Sequence, residues 1–189
     1  MNYEDFLKQK DYVLESSGFD IDKDKLKKKM RTQIKTKNKF KKNISCGLGK
    51  TLMQLSWAHQ VHLHTGGKVL ILAPLSVADQ TKREAEKFHY AAKVCEKQED
   101  CIDGINITNY EKLDKFVANE FVVVLDESSI IKSYTGKVRT SIIDNFANVP
   151  YKLACTATPA PNDYMELGNH SEFLWSNDKI RNAFYVFCS

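Results

Sequence analysis

Three groups of polar residues, far apart along the chain, have types and spacings suited to phosphate chemistry. The first is Cys46-Gly-Leu-Gly-Lys-Thr51. Glycines such as Gly47 and Gly49 let a backbone wrap closely around phosphates. Lys50 can then reach the β- and γ-phosphates, and the Thr51 hydroxyl can bind Mg²⁺. A helix-forming run follows, Leu52-Met-Gln-Leu-Ser-Trp-Ala. Its N-terminus would aim partial positive charge and free N–H groups at an anion. The full G-x-x-x-x-G-K-[ST] pattern wants glycine at position 44, where this chain has Ile44. A glycine turn that merely caps a helix is the competing reading.

The second group closes the run Phe121-Val-Val-Val-Leu-Asp126-Glu127. A strand ending in two carboxylates places them at the carboxyl edge of a sheet, where open α/β folds bind ligands. Asp126 suits the Mg²⁺ shell, and Glu127 suits orienting or deprotonating an attacking water. A strand running into an acidic turn is the plainer alternative. The third group is Leu153-Ala-Cys-Thr156-Ala-Thr158-Pro-Ala-Pro. The hydroxyls of Thr156 and Thr158 could bond to the acidic pair and sense a γ-phosphate, or they could belong to an ordinary strand end.

Positioning these groups requires a sheet with helices between its strands. The pattern predicts helices over 50–64, 76–89, 110–117, 136–147 and 162–174. It predicts strands over 68–73, 105–108, 121–125 and 151–156. Such alternation implies βαβ crossovers and a parallel sheet. Val69-Leu-Ile-Leu and Val122-Val-Val-Leu are apolar on both faces, as strands covered by helices on each side should be. Residues 3–16 read as a further amphipathic helix, and no internal repeat is evident.

Composition narrows the class. The chain has 189 residues, 42% hydrophobic and 28% charged, which is ordinary for a globular domain. The longest apolar run, Val69 to Leu75, is far short of the roughly 20 residues of a membrane helix. The N-terminus lacks the basic start and apolar stretch of a secretory signal. Five cysteines without a C-x-x-C pair fit reduced thiols in a cytoplasm-like compartment. The net charge of +4 is uneven, because residues 21–43 carry ten lysines and Arg31 against only Asp22 and Asp24. That stretch could meet a polyanion, or it could be a solvated surface segment. His59, His62 and His64 lack acidic or cysteine ligands at matching spacing and read as surface or helix-end residues, not as a metal site.

Taken together, these motifs resemble those of superfamily 2 helicases and translocases. Gly47-Leu-Gly-Lys-Thr51 resembles motif I, Asp126-Glu-Ser-Ser129 motif II and Thr156-Ala-Thr158 motif III. Ala73-Pro-Leu-Ser-Val-Ala-Asp-Gln-Thr81 resembles motif Ia, and Ile107-Thr-Asn-Tyr-Glu111 resembles motif Ib. With Thr156-Ala-Thr-Pro-Ala-Pro-Asn-Asp163, they are similar to the Swi/Snf-like DEAD/DEAH-box helicases of phages and prophages. The resemblance covers about residues 45–175. It implies an α/β, RecA-like P-loop NTPase domain, a mainly parallel sheet sandwiched by helices, at 44–175. A helical or disordered basic extension would precede it at 1–43, and a truncated tail would follow at 176–189.

The resemblance implies a nucleotide site of Cys46, Gly47, Leu48, Gly49, Lys50 and Thr51 for ATP. Mg²⁺ would sit on Thr51 and Asp126. Lys50, Asp126 and Glu127 would carry the chemistry, with Thr156 and Thr158 as coupling residues. Pro74, Leu75, Ser76, Thr108 and Asn109 would face a nucleic-acid backbone, DNA favoured over RNA. For Ser76 a helix N-cap is the alternative role. The strand ending at Thr156 would lie between the phosphate-loop strand and the Asp–Glu strand. Yet the place of the loop strand reads Lys39-Phe-Lys-Lys-Asn-Ile-Ser45, whose lysines are costly inside a sheet. The resemblance stops short of the family's second RecA-like domain, with its arginine finger. The expectation is therefore the first half of an ATP-dependent motor acting inside a phage-host cell, with a second RecA-like domain as partner. Two alternatives stay open. One is a non-catalytic ATP- or nucleic-acid-binding remnant. The other is a P-loop nucleotide kinase, for which the four scattered arginines are a poor lid. Phe184 to Phe187 would pack on a missing partner or lie exposed.

Overall fold

A computed structural model describes residues 50–132, 136–156, 170, 172–174 and 182–187, the last stretch by its main chain. The helix expected over 3–16, the basic stretch and most of 162–174 lie outside these residues.

The first described element is helix α1, Lys50–Thr65. Its buried Leu52, Leu55, Ala58 and Val61 recur every three residues and form one stripe. The helix stops where Gly66 takes a left-handed φ of 67° and donates its N–H to the His62 carbonyl at 2.8 Å. Strand β1, Lys68–Ala73, follows directly. Helix α2, Leu75–Lys87, then leads to the short strand β2, Ala92–Val94, and on to β3, Ile105–Asn109. Two 3₁₀ helices, Tyr110–Lys115 and Ala118–Glu120, connect β3 to β4, Phe121–Asp126. A 3₁₀ helix over Ser128–Lys132 and helix α3, Lys137–Asn145, precede β5, Tyr151–Thr156. The last described strand is β6, Asn182–Phe187.

The six strands form one sheet in the order β2-β3-β1-β4-β5-β6, and every neighbouring pair is parallel. Side-chain alternation splits the core in two. Val69, Ile71, Ile105, Ile107, Val122, Val124, Leu153 and Cys155 pack under α1 and α2. Leu70, Leu72, Val123, Leu125 and Ala154 pack on the opposite face with Leu113, Phe116, Ile142, Phe146 and Phe173. This two-sided burial is why β1 and β4 read as continuous apolar runs.

The sequence predictions need correction at three places. Residues 110–117 form 3₁₀ turns, not one α-helix. Tyr110, Leu113 and Phe116 are all buried at a spacing of three, which suits three residues per turn. Strand β2 was not expected; it is three residues long, and Lys93 at its centre is exposed. A strand over 182–187 was likewise not expected; its main chain pairs with β5 at six successive positions. Thus β5 lies beside the Asp–Glu strand as expected, and its other neighbour among the described residues is β6; the segment before the phosphate loop lies outside them. The aromatic and β-branched residues of Asn-Ala-Phe-Tyr-Val-Phe suit a sheet.

Candidate functional site

All strands are parallel, so their carboxyl ends share one edge. There β1 ends at Ala73, β3 at Asn109, β4 at Asp126 and β5 at Thr156. The first turn of α1 brings Lys50 to the same edge. Its Nζ lies 3.1 Å from Glu127 Oε2 and 3.6 Å from Asp126 Oδ1, although 77 residues separate Lys50 from Glu127. Thr51 follows in the same turn, half-buried. Cys46, Gly47, Leu48, Gly49 and Thr158 lie outside the described residues.

The two carboxylates differ in setting. Asp126 is 3% exposed. Its Oδ1 accepts a hydrogen bond from Gln54 Nε2 at 2.7 Å, and its main-chain carbonyl accepts one from the Tyr110 hydroxyl at 2.7 Å. Glu127 is more open and has a positive φ of 56°. That conformation costs a non-glycine residue about 1–3 kcal/mol and persists only where its surroundings enforce it. The enforcing contacts are visible. Lys50 donates to Oε2, while Thr156 Oγ1 at 3.0 Å and Ser129 Oγ at 3.1 Å donate to Oε1. Burial works to raise the Glu127 pKa, but the bonds from Lys50, Thr156 and Ser129 outweigh it and hold the carboxyl below its ordinary value. Burial likewise works to lower the Lys50 pKa, and the charge of Asp126 followed by Glu127 reverses this, so the ammonium is held above its ordinary value. Both groups are therefore charged at neutral pH.

The donor set fits Mg²⁺. Magnesium prefers a few oxygen ligands and keeps several waters. Asp126 supplies a buried carboxylate, and Thr51 supplies a hydroxyl next to Lys50. Gln54 Oε1 is a buried acceptor without a hydrogen bond, an atom that a metal-bound water could satisfy.

Beside the carboxylates runs a groove of about 350 Å³. It is lined by Pro74 and Leu75, by Asn109 to Glu111, and by Glu127, Ser129 and Ile130. Leu75 is 68% exposed and Ser76 is exposed. Ser76 does not cap its helix, because α2 begins at Leu75 with Pro74 in the cap position. Thr108 and Asn109 are buried, and Asn109 Oδ1 accepts from the Lys112 N–H at 3.1 Å. The three histidines diverge: His62 Nδ1 sits 2.9 Å from the Gly67 carbonyl, His59 lies against Tyr90, and His64 lies against Tyr151.

Three supporting residues were missed in the sequence. Gln54 had a usable signal, since it stands four residues after Lys50, on the same helix face, within a buried stripe. Tyr110 stands inside the motif Ib-like word, where no role was assigned to it, and its reach to β4 is a tertiary fact. His170 Nε2 lies 3.1 Å from Ser128 Oγ, 42 residues away, with both residues buried. No local pattern announces that pair.

The fold and site define a RecA-like domain of the superfamily 2 helicase class, with a lysine and two carboxylates converging at the sheet edge. The chain belongs to the family described as the type III restriction enzyme res subunit, whose model matches residues 15–161. Among solved structures it is similar to the Sulfolobus solfataricus SWI2/SNF2 ATPase core domain, with 23% identity and a TM-score of 0.55. That match covers 74% of this chain and 32% of the archaeal one, so the chain spans about a third of that structure's length. No curated protein matches the chain. No helix among the described residues is long and apolar enough to cross a membrane.

Proposed function

We propose that this chain is an ATP-binding and ATP-hydrolysing module of a helicase or translocase that runs on nucleic acid, DNA before RNA. One observation carries the reading: Lys50 and the Asp126–Glu127 pair meet within 3.6 Å at the carboxyl edge of a parallel sheet. In this reading residues 46–51 cradle the phosphates. Lys50 leaves the carboxylates to meet the β- and γ-phosphates, and Asp126 and Thr51 hold the metal. When bound, Mg²⁺ supplies charge neutralisation on the phosphate oxygens. Glu127, ionised and freed from Lys50, orients the attacking water and takes its proton. Thr156, already bonded to Glu127, passes the state of the γ-phosphate to β5, with Thr158 beyond it.

Pro74, Leu75 and Ser76 offer an exposed corner to a nucleic-acid backbone, and Asn109 lines the same groove. Backbone contacts of this kind position a strand without reading its sequence. We further infer the Swi/Snf-like phage type, a division into 1–43, 44–175 and 176–189, action inside a host cell and a second RecA-like domain as partner. Support comes from the motif words and the family match. The test is phosphate release from Mg²⁺–ATP with and without single-stranded DNA, in wild type and Lys50→Ala. DNA-stimulated release that Lys50→Ala abolishes supports the motor. Nucleotide binding without turnover supports a binding module instead, and phosphate transfer to a nucleoside monophosphate supports a kinase.

A further inference from the structure

One residue ties the far side of the groove to the Asp126–Glu127 turn. Tyr110 lines the groove beside Asn109, and its hydroxyl bonds to the Asp126 carbonyl at 2.7 Å. In the sheet, β1 lies between β3 and β4. The Tyr110 bond therefore bridges the end of β1, spanning two strand spacings or about 10 Å of sheet. Pro74 and Leu75, which continue β1, form the groove between Tyr110 on one side and Glu127 and Ser129 on the other. A strand that meets Pro74, Leu75 and Asn109 would abut the Tyr110 end of the bridge, away from the Glu127 carboxylate.

The bonded carbonyl belongs to the peptide that carries the Glu127 N–H. A peptide group is planar, so turning the carbonyl turns the Glu127 φ with it. Glu127 sits at 56°, a conformation held by its contacts and not by preference. Tyr110 is tied to the end of β3: Asn109, the last residue of that strand, caps the 3₁₀ helix that Tyr110 begins. Burial raises the phenol's pKa well above its ordinary value, so the hydroxyl stays a donor.

Resting on the function proposed above, we infer that Tyr110 is the positioning residue through which a nucleic-acid strand in the groove acts on the Asp126–Glu127 turn. The strand shifts Tyr110 and the end of β3, the Asp126 carbonyl follows, and the Glu127 carboxylate is re-aimed. The track and the nucleotide thereby become coupled ligands, each changing the affinity for the other by the same factor.

The experiment uses the full chain and no turnover. The affinity for a non-hydrolysable ATP analogue with Mg²⁺ is measured with and without a saturating thymidine oligonucleotide, in wild type, Tyr110→Phe and Tyr90→Phe. Tyr90→Phe removes a hydroxyl in a half-buried bond to Ser56, in the other core layer, and controls for the loss of a phenol bond as such. Wild type and Tyr90→Phe are expected to show about a fivefold or larger effect of the oligonucleotide. Tyr110→Phe is expected to bring it to within about twofold of none, with both ligands still binding. The inference is overturned if Tyr110→Phe keeps the wild-type factor, if Tyr90→Phe loses it equally, or if wild type binds both ligands without coupling. If wild type binds no nucleotide, the functional reading itself falls, which is a different failure. Should Tyr110→Phe not fold, hydrogen exchange on wild type decides. Oligonucleotide alone should change the exchange of the Glu127 and Ser128 amides, and unchanged exchange overturns the inference.

Discussion

Replacing Lys50 with methionine tests the convergence of the site without any ligand. The substitution keeps much of the side-chain volume and removes one charge from a cluster of three. Lys50 is 24% exposed, Asp126 4% and Glu127 35%, counting side chains. Breaking a fully buried pair costs about 3–5 kcal/mol, and an exposed pair about 0–1. Asp126 lies near the first case, while the contact to Glu127 must be discounted for solvent. About 2 kcal/mol is the resulting expectation, or about 4–8 °C in Tm for a domain of this size. The cost should depend on pH. The Glu127 pKa is lowered in the folded chain. Its contribution is therefore complete above the unfolded value of about 4.3 and is lost as pH falls through the folded value. The Lys50 pKa is raised. Its contribution is complete below about 10.4 and is lost as pH rises through the folded value. Urea unfolding at a series of pH values reads both limbs. The gap between wild type and Lys50→Met should be widest near neutrality and shrink toward either extreme. Equal stability at pH 7, or a gap that stays constant into acid, would refute the reasoning.

Three further outcomes follow from the same geometry. Gln54→Leu removes the unpaired Oε1 but leaves the buried Asp126 without its donor, so stability should fall by about 1–3 kcal/mol. Magnesium affinity in the presence of nucleotide should also fall by about 10–100-fold, the usual effect of losing a ligand's supporting partner, measured by metal titration. Thr156→Val loses the bond to Glu127 and should lower kcat more than it raises KM in a phosphate-release assay. Lys152, buried in β5, donates to the Phe173 carbonyl at 2.9 Å, and burial lowers its pKa to about 8. The folded chain gives up that proton before the unfolded chain does, so wild-type stability should rise from pH 8 toward 10 relative to Lys152→Met, read by urea unfolding.

The sheet was legible because burial on both faces leaves a plain mark. The strands β1 and β4 are chiefly runs of Val, Leu, Ile and Ala, β5 reads Tyr-Lys-Leu-Ala-Cys-Thr, and the limits of all three agree with the sequence prediction to within a residue. Lys152 is the exception inside such a run, and its burial depends on a carbonyl contributed by Phe173, 21 residues away. Edges were less visible. The strand β2 has three residues and one exposed face, too short for a period to show. The pairing of β6 with β5 joins segments about 30 residues apart, and no local signal announces it. In the site, Lys50, Asp126, Glu127 and Thr156 were readable because each stands at a strand or helix end in a motif word. Gln54, Tyr110 and His170 act through contacts to residues 72, 16 and 42 positions away. Only the fold reveals such partners.

The central claim is that Lys50 and Asp126 hold one triphosphate–magnesium unit between them. Isothermal titration of the full chain with a non-hydrolysable ATP analogue tests it most directly, run with Mg²⁺ and with EDTA, on wild type, Lys50→Ala and Asp126→Asn. Binding by wild type is predicted to require Mg²⁺, to disappear in Lys50→Ala, and to lose its magnesium dependence in Asp126→Asn. Wild-type affinity that is indifferent to Mg²⁺, or that survives both substitutions unchanged, would contradict it.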